Sequence, residues 1–342
     1  MGKNSVLMVI SSYHGYGGAD VVINNLCKEL NNLGYKTAIG AFSFEKKPPY
    51  EIEQIKLRKI GKIFNDPETS KFEIIHSHQT LMNYYSLFTS KPFIFHYHGS
   101  NGRIQELNLK IAMKLCRNKI IKTIAVSNLA KYQLKKILGT TNAEVIYNGI
   151  DEDYSSLNFD KSFKKGEPQL LFVGNLYPTK KVNYLLLGIK ELIKIFPKIH
   201  LQIVGNGKEL FNLKNIIENL SLEEHVELTG RLSLGALKKR YASCDIYVSS
   251  SSWEMFGLPL LEAMAFGKPV VASNIPAHLE LINNSMAGNS FVLGDHSDFK
   301  DKVSKTYQNY KILSDNAVKF AKQHTWKKIA KELEQIYNEI LN

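Results

Sequence analysis

One segment, residues 245–282, restricts the fold of this chain more than any other part of its sequence. Its apolar run Ile246–Val248 predicts a short strand, which a polar turn follows. A helix begins directly after this turn, because Pro259 is tolerated in a first helical turn and Gly267 suits a helix end. The next apolar run, Pro269–Ala272, predicts another strand. The segment therefore predicts a strand–helix–strand unit of a parallel sheet.

Two acidic residues point to chemistry in this unit. Glu254 lies in the turn after the first strand, and Glu262 lies about one turn inside the helix. A helix N-terminus offers unpaired backbone N–H groups and a positive dipole end, which together favour a phosphate. A carboxylate such as Glu262 can accept hydrogen bonds from sugar hydroxyls. The unit thus predicts a phosphate and ribose site, although an ordinary strand–helix unit with solvated glutamates explains the same residues.

The residues around the two acids are more specific than the acids alone. Glu254 and Glu262 have seven residues between them, with FGL after the first and EAMAFGKPVVAS around the second. This pattern resembles the signature of the retaining glycosyltransferases of family 4, which have the GT-B fold. The resemblance covers nearly the whole chain and is strongest in residues 170–282. It is weakest in residues 35–120, where acceptors bind in that family, so the acceptor stays unidentified.

Short apolar runs alternate with helical patterns along the chain, which predicts an α/β protein with parallel, doubly wound sheets. The resemblance implies the GT-B arrangement, in which two Rossmann-like domains face an inter-domain cleft. We predict an acceptor-binding domain over residues 1–155 and a nucleotide-sugar-binding domain over residues 156–315. Residues 151–168 are polar and predict the linker. Residues 316–342 belong to a helix, expected from Ser314 to Leu341, that returns to the first domain as in the family.

The composition is that of an ordinary globular protein in the cytoplasm. The chain has 342 residues, 44% of them hydrophobic and 22% charged, which suits two domains. No apolar run approaches the ~20 residues that span a bilayer, and the N-terminus predicts a strand rather than a signal peptide. The three cysteines, Cys27, Cys116 and Cys244, lie far apart in apolar surroundings, which predicts reduced core residues.

The positive charge is concentrated in the first half. The net charge is +12, and residues 1–150 hold 20 basic and 10 acidic residues, whereas residues 151–342 hold 24 and 22. Between these basic residues, Leu107, Ile111 and Leu115 recur at helical spacing, and we expect this stripe to face the core. The charge excess itself favours an anionic partner such as a membrane surface. Nucleic acid is not favoured, because no recognised binding motif is present.

Two parts of the first half resemble site elements of the family. Gly17 and Gly18 open a helix after the first strand and resemble the loop that approaches the donor diphosphate or the acceptor. His98 follows the strand FIFHY and precedes Gly99, which resembles the histidine that contacts the transferred sugar. A capped core histidine is the alternative for His98. On balance, the resemblance favours the sugar contact.

Other patterns in the sequence invite a metal, which we do not predict. His76 and His78, like His96 and His98, would lie on one face of a strand, and histidine is a frequent metal ligand. No cysteine or carboxylate completes a zinc set at the usual spacing. The acidic string Asp151–Asp153 follows Asn148-Gly149 and resembles part of the family's NGID hinge, so it predicts a turn.

The second half carries the residues that would face a diphosphate. The string FVGNLYPTKK resembles the family's FVGRL…KG motif, so Gly174 and Lys180 match it. Asn175 stands where the family usually has arginine, and Lys181 stands where it usually has glycine. A leaving nucleoside diphosphate needs cations or N–H dipoles to stabilise its charge. Either Lys181 supplies the charge that Asn175 lacks, or leaving-group stabilisation is weaker in this protein.

Further donor contacts are implied by the resemblance. Gly205 lies in IVGNG, a strand and tight turn near the base, and Arg231 follows a strand in the base-contact region, although a solvated arginine is about as expected there. The backbone of Phe256, Gly257 and Leu258, together with Glu254, would hold the sugar.

The resemblance implies a retaining glycosyltransferase that moves a sugar from a nucleoside diphosphate, with UDP favoured, to a hydroxyl of a glycan or lipid-linked acceptor. The enzyme would work without a metal or other cofactor, in the cytoplasm or at the inner membrane face. The catalytic residues would be Lys180, Glu254 and His98, with Glu262 on the ribose.

Three alternatives remain open at this point. One is a nucleotide-sugar epimerase on the same fold, and another is a catalytically silent sugar-nucleotide-binding partner, which Asn175 suggests. A dehydrogenase is disfavoured because the GxGxxG fingerprint is missing.

Overall fold

A computed structural model describes residues 4–15, 17–58, 67–152 and 163–342 of the chain. The chain forms two compact units. Unit 1 comprises Met1–Gly149 and His324–Asn342, and unit 2 comprises Ile150–Gln323. The chain therefore enters unit 2 once and returns to unit 1 for its last residues.

Unit 1 is built on a parallel sheet of seven strands in the order β3-β2-β1-β4-β5-β6-β7. The order reverses between β1 and β4, which makes that point the expected ligand edge of the sheet. The strands are β1 (Ser5–Tyr13), β2 (Lys36–Phe44), β3 (Glu53–Lys56), β4 (Ile74–Ser77), β5 (Phe93–Tyr97), β6 (Ile120–Ala125) and β7 (Glu144–Val145). The α-helices are α1 (Gly18–Asn32), α2 (Pro67–Ser70), α3 (Arg103–Cys116), α4 (Asn128–Leu138) and, after unit 2, α12 (Trp326–Leu341), and a 3-10 helix spans Thr80–Phe88.

Unit 2 repeats this design with six parallel strands in the order β10-β9-β8-β11-β12-β13. Here the order reverses between β8 and β11. The strands are β8 (Gln169–Val173), β9 (His200–Val204), β10 (Val226–Gly230), β11 (Ile246–Ser249), β12 (Val270–Ser273) and β13 (Gly288–Phe291). The helices are α5 (Val182–Leu192), α6 (Leu210–Asn219), α7 (Leu234–Ser243), α8 (Leu258–Ala265), α9 (Pro276–Ser285), α10 (His296–Gln308) and α11 (Tyr310–Ala321).

The central strands of both sheets are buried almost throughout, and the structure explains why. In β1 every residue from Ser5 to Ile10 is buried, and β9 is buried over its whole length. A parallel sheet with helices on both faces has no solvated face, so its strands do not alternate between apolar and polar residues. The three cysteines are also buried and form no disulfide.

The C-terminal region differs from the single helix that the sequence suggested between Ser314 and Leu341. The structure has two helices, α11 in unit 2 and α12 in unit 1. The side chain of Thr325 accepts a hydrogen bond from the Lys328 backbone N–H and starts a new helix. The units also divide at 149/150 and 323/324 rather than at the predicted 155 and 315. Residues 153–162 of the predicted linker lie outside the described residues.

The prediction that Leu107, Ile111 and Leu115 face the core was wrong. Their exposed fractions are 59%, 46% and 56%, and the buried residues of α3 are Leu109, Ala112 and Cys116. Both triplets follow helical spacing, so periodicity could not decide which one packs. Helix α3 thus presents an apolar stripe to solvent, flanked by basic residues.

Candidate functional site

The loop that follows β8 has a tightly restrained backbone. A short 3-10 helix, Pro178–Lys180, leads into α5, and Lys181 lies between them with φ +49°. This left-handed conformation is costly for residues with a Cβ and routine for glycine. The structure therefore explains why the family usually has glycine where this chain has Lys181.

Glycines bring the loop after β9 against the loop after β8. A Cβ on Gly205 would lie 1.8 Å from the carbonyl oxygen of Gly174, and one on Gly207 would lie 2.5 Å from the carbonyl oxygen of Leu176. No side chain fits at either position without moving the backbone. The predicted role of Gly174 and Gly205 at a ligand stays a prediction, whereas their role in closing these two loops follows from the geometry.

The loop after β11 is hydrogen-bonded to the loop after β8. The hydroxyl of Ser250 donates to the carbonyl oxygens of Lys180 and Lys181, both at 2.9 Å, and the Ser252 backbone N–H donates to Thr179 at 2.8 Å. Because β8 and β11 are neighbours at the reversal of strand order, these bonds fix both loops at the expected ligand edge of the sheet.

Lys180 and Glu254 meet at this edge. Lys180 Nζ forms an ion pair with Glu254 Oε1, and the side chains are only 20% and 18% exposed. Ser251 Oγ donates to the same carboxylate oxygen at 2.9 Å. The structure therefore brings together two of the three predicted catalytic residues and adds Ser251 to them. An anion that reaches Lys180 has to share this cation with Glu254.

Helix α8 starts at the same loop. Gly257 is its N-cap residue with φ +92°, a conformation that favours glycine, and Pro259 lies in the first turn. Phe256 is buried, and Leu258 is partly buried. Helix α8 thus begins in the loop after the carboxyl end of β11, as the sequence predicted.

Glu262 is fixed by a tyrosine that the sequence did not indicate. Tyr241 donates its hydroxyl hydrogen to Glu262 Oε2 at 2.7 Å, and its ring stacks on Phe266 at a centroid distance of 5.5 Å. Burial raises the pKa of Glu262 to about 7, and the charge of Asp151 adds to this rise, while the Tyr241 hydrogen bond opposes it. Burial, then Glu254 and Glu262, also raise the pKa of Tyr247, so both carboxylates lie near that residue.

The other predicted donor residues of unit 2, Asn175 and Arg231, lie in the loops after β8 and β10, and the predicted turn begins at Asp151. Asn175 is partly buried, and its carbonyl oxygen accepts a hydrogen bond from the Tyr177 backbone N–H at 2.9 Å. Arg231 is exposed in the turn after β10, and β10 is separated from β8 by β9. Asp151 pairs with Lys238 at 3.7 Å, whereas Asp153 lies outside the described residues.

The glycine-containing loop after β1 is hydrogen-bonded to a carboxylate of the helix that follows it. The buried carboxylate of Asp20 accepts hydrogen bonds from the backbone N–H groups of Gly17 at 2.9 Å and His14 at 3.3 Å. A Cβ on Gly18 would meet nothing within 4 Å, so space is open beside that residue. Gly17 is therefore held by the loop itself, whereas Gly18 borders space that a ligand could use.

His98 lines a cavity of about 300 Å³ at the carboxyl ends of β4 and β5, together with His78, Gln79, Gly99 and Ser100. The Nε2 atom of His98 lies 3.0 Å from Nδ1 of His78. Burial lowers the pKa of His98 to about 4, so its ring is neutral near pH 7. His98, the predicted sugar-contacting residue, thus borders a cavity while its Nε2 atom is hydrogen-bonded to His78.

His98 belongs to a histidine cluster with His76, His78 and His96. Neighbouring rings stack at centroid distances of 4.7–5.3 Å, with planes inclined by 15–32°. His76 Nδ1 is 2.6 Å from the Tyr337 hydroxyl, and neither nitrogen of His96 has a partner among the described residues. Burial lowers the pKa of His76 to about 3 and those of His78 and His96 well below the usual range.

One nitrogen from each of His76, His78 and His96 lies within 4.8 Å of the others, which is close enough to consider a metal ion. Imidazole lone pairs lie in the plane of the ring, however, and stacked rings direct them side by side rather than toward one point. We therefore assign no metal to the histidine cluster. The absence of a metal requirement stays a prediction.

Comparison with known proteins agrees with this architecture. The glycosyl transferases group 1 family matches residues 154–332, and the glycosyltransferase family 4 matches residues 16–154. An uncharacterized glycosyltransferase of Methanocaldococcus jannaschii is 29% identical over 98% of both chains. A phosphatidyl-myo-inositol mannosyltransferase of Mycobacterium leprae is 26% identical over 79% of this chain and 74% of its own.

Among solved structures, Anabaena Alr3699/HepE in complex with UDP and glucose superimposes with a TM-score of 0.81. Its sequence is 20% identical, and the alignment covers 98% of this chain and 100% of the other. The two parallel α/β units are those of a GT-B glycosyltransferase. The chain belongs to the glycosyl transferases group 1 family, and its N-terminal half matches glycosyltransferase family 4. Within the described ranges, no helix is long and apolar enough to cross a membrane.

Proposed function

We propose that this enzyme transfers a sugar from a nucleoside diphosphate, with UDP favoured, to a hydroxyl of a glycan or lipid-linked acceptor and retains the anomeric configuration. The observation that carries the proposal is the Lys180–Glu254 ion pair beside the N-terminus of α8. A cation and a helix N-terminus at one sheet edge suit a diphosphate, and an adjacent carboxylate suits sugar hydroxyls. The similar HepE structure, a complex with UDP and glucose, supports a UDP-sugar.

In this proposal Lys180 carries the charge that stabilises the diphosphate. The developing negative charge of a leaving nucleoside diphosphate needs a cation or N–H dipoles in place before reaction. When the donor binds, its phosphate shares Lys180 with Glu254, while the N–H groups at the start of α8 supply dipoles. Asn175 adds an amide donor without charge, and Lys181 is the nearest second cation along the chain. No divalent ion is required on this account.

Glu262 is proposed to bind the ribose. Its Oε2 is held by Tyr241, which leaves Oε1 to accept from ribose hydroxyls. Glu254 and the backbone of residues 256–258 are proposed to hold the sugar. His98 is proposed to contact a sugar hydroxyl, as the family resemblance implies. Family 4 sites lack a clear enzyme nucleophile, so we propose front-face attack, in which the leaving phosphate accepts the proton of the acceptor hydroxyl. Positioning and electrostatics supply most of the rate.

Helix α3 supports contact with an anionic membrane that holds a lipid-linked acceptor. Its exposed stripe of Ile104, Leu107, Ile111 and Leu115 lies among the basic residues Lys110, Lys114 and Arg117. Apolar side chains that insert at a headgroup boundary and cations that face acidic lipids act together in such helices. The mannosyltransferase of M. leprae is named for a phosphatidyl-myo-inositol acceptor, which supports a lipid acceptor for this chain.

The donor is tested by thermal shift against UDP, GDP, ADP and their sugars. A ligand at 100 times its dissociation constant stabilises by about 2.7 kcal/mol, which is readily measured. We expect stabilisation by UDP and a UDP-sugar, and loss of that stabilisation in Glu262→Ala. The control, Glu191→Ala, changes an exposed glutamate of α5. Absence of a response to every nucleotide in the wild-type protein would overturn the donor proposal.

Product analysis separates transfer from the two alternatives. Incubation of the donor with acceptor lipids or glycans should release the nucleoside diphosphate and form an α- or β-glycoside with the donor's configuration. Isomerised sugar nucleotide without an acceptor would identify an epimerase instead. Donor binding without any turnover, across acceptors of both classes, would identify a silent binding partner.

The membrane contact is tested with vesicles. The wild-type protein should sediment with acidic phospholipid vesicles and much less with zwitterionic ones, and added salt should weaken the binding. The double variant Ile111→Ser/Leu115→Ser should bind several-fold less. Ile312→Ser, which changes an apolar residue of unit 2 that is at least as exposed, should not change binding. Equal vesicle binding by the double variant and by Ile312→Ser would show that α3 does not contact the membrane.

A further inference from the structure

We infer that His78 is a positioning residue for His98. It fixes the tautomer of His98 so that Nδ1, which carries no hydrogen, is the atom available to accept a hydrogen bond from a hydroxyl of the ligand. The tautomer is a property of the unliganded protein. Only the identification of the hydroxyl as one on the transferred sugar rests on the proposed function.

The argument starts at Met8, in the middle of β1. Its sulfur lies 3.3 Å from Nε2 of His78, and both side chains are buried. A thioether sulfur has no hydrogen to donate, so an unprotonated Nε2 would place a lone pair against the sulfur lone pairs. Nε2 of His78 therefore carries the hydrogen and donates it to Met8.

This assignment determines the other nitrogen of His78. Burial lowers the pKa of His78 well below its usual range, so the ring is neutral near pH 7 and has a single N–H group. With Nε2 protonated, Nδ1 is an acceptor. The atom that faces it, at 3.0 Å, is Nε2 of His98, which has to donate. The hydrogen of His98 is thereby placed on Nε2.

The same step leaves Nδ1 of His98 with its lone pair. The pKa of His98 is lowered to about 4, so this ring also has one N–H group near pH 7. Nδ1 has no hydrogen bond to the part of the chain that the structure describes, and His98 lines the cavity of about 300 Å³. A hydroxyl can donate to this nitrogen, whereas a carboxylate oxygen there meets only a lone pair. The cavity therefore selects a ligand hydroxyl over a carboxylate or a deoxygenated carbon.

The sheet makes the arrangement rigid. His78 and His98 follow the neighbouring strands β4 and β5, and the His78 backbone N–H donates to the carbonyl oxygen of Val9 at 2.9 Å. The His78 ring also stacks on those of His76 and His96, so it cannot turn without moving the whole histidine cluster. A rigid acceptor costs little entropy when it pairs with a ligand.

Nitrogen NMR of the unliganded protein tests the tautomer directly. Long-range proton–nitrogen spectra at pH 7.5 should give His98 a protonated Nε2 and an unprotonated Nδ1. In His78→Leu, which removes the acceptor, His98 should become a mixture of both tautomers. In His78→Asn, whose side-chain oxygen can replace the Nδ1 acceptor, His98 should keep the wild-type tautomer. A wild-type His98 that is protonated on Nδ1, or an unchanged tautomer in His78→Leu, would overturn the inference.

Kinetics test the consequence for the ligand. Loss of the fixed tautomer in His78→Leu should lower kcat/KM about tenfold, the value of one hydrogen bond, and His78→Asn should restore most of it. Donor sugars that each lack one hydroxyl identify the group that binds His98. Removal of one particular hydroxyl should lower kcat/KM of the wild-type enzyme about tenfold and should not lower kcat/KM of His98→Ala. If every deoxy sugar lowered kcat/KM by the same factor in the wild-type enzyme and in His98→Ala, His98 would not accept a hydrogen bond from the sugar. The NMR result stands independently of activity, so failure of the proposed function and failure of this inference are distinguishable.

Discussion

The proposed donor side of unit 2 and the histidine cluster of unit 1 both lie at central strands, β8 and β11 in unit 2 and β4 and β5 in unit 1, but they are built differently. In unit 2 the polar groups are charged and paired across two loops, as in Lys180 with Glu254. In unit 1 they are neutral rings stacked in the interior. The first design should respond to a change of side-chain charge, and the second to protonation.

The largest effect should follow from removing the cation of unit 2. Lys180→Ala should lower transfer by about 10²–10³-fold, because preorganised charge at a leaving group is worth that much. Stability should also fall, by about 1–3 kcal/mol, because the pair is mostly buried and the variant leaves the Glu254 carboxylate without its cation. Steady-state transfer and urea unfolding measure the two quantities. Lys194→Ala, which alters an exposed ion pair with Glu191, is the control. Turnover near the wild-type rate in Lys180→Ala would refute the assignment.

The second effect concerns protonation of the histidine cluster. Because burial lowers the folded-state pKa of His96, its contribution to stability is complete above the unfolded pKa of 6.5 and is lost as pH falls below it. Each such histidine costs about 1.4 kcal/mol per pH unit over that range. His96→Leu should therefore recover about 2 kcal/mol of the stability that the wild type loses between pH 6.5 and 5.

At pH 7 the same variant should be close to neutral, because it removes two ring nitrogens that have no partner in the described structure. Urea unfolding at pH 7 and pH 5 measures both values. Ile94→Val, a buried change in the same strand without a titrating group, should shift stability equally at the two pH values. Parallel pH profiles for wild type and His96→Leu would show that the histidine cluster does not set the acid sensitivity.

A third effect concerns unit 2, where burial raises the pKa of a carboxyl group instead of lowering that of a histidine. Since the pKa of Glu262 is raised to about 7, its carboxylate ionises as pH rises through 7, and donor affinity should rise with it. Tyr241→Phe removes the hydrogen bond that opposes this rise in pKa. The variant should bind UDP about tenfold more weakly at pH 7 and less so at pH 8.5. Calorimetric titration with UDP measures the affinities.

Tyr307→Phe, which removes a tyrosine–carboxylate hydrogen bond to Glu167 at 3.0 Å, is the matched control and should leave UDP binding unchanged. A pH profile of UDP affinity that is the same in Tyr241→Phe and wild type would separate Glu262 from ribose recognition.

The two regions also differ in how far the sequence revealed them. Most strands of both sheets follow from their apolar runs, whereas β3 (EQIK) and β13 (GNSF) are too polar to be predicted in this way. The pattern around Glu254 and Glu262 indicated the family from the sequence alone. Lys180 meets Glu254 because their loops follow neighbouring strands, which the doubly wound pattern anticipates. Tyr241 lies 21 residues from Glu262 on another helix, and no spacing rule indicates that contact.

In unit 1, the two His-x-His pairs were visible in the sequence, but their stacking depends on the register of β4 with β5. The sequence could not decide which face of α3 is buried, for a similar reason. Leu109, Ala112 and Cys116 fit a helical stripe as well as Leu107, Ile111 and Leu115 do, and only packing selects between them. Local motifs therefore predicted the charged region better than the neutral one.

The smallest effect concerns Lys181, where this chain departs from its family. Its φ of +49° is a left-handed conformation that costs a side-chain-bearing residue about 1 kcal/mol, and glycine avoids that cost. Lys181→Gly should therefore keep or raise the free energy of unfolding, by at most about 1 kcal/mol, because the greater freedom of glycine in the unfolded chain offsets part of the gain. Lys181→Asn tolerates the same backbone and lacks the charge. If the charge of Lys181 compensates for the charge that Asn175 lacks, both variants should weaken UDP binding equally, because both remove that charge. The loss of backbone strain in the glycine variant should make no difference to binding. Unchanged binding in both would leave Lys180 and the N-terminus of α8 to stabilise the diphosphate.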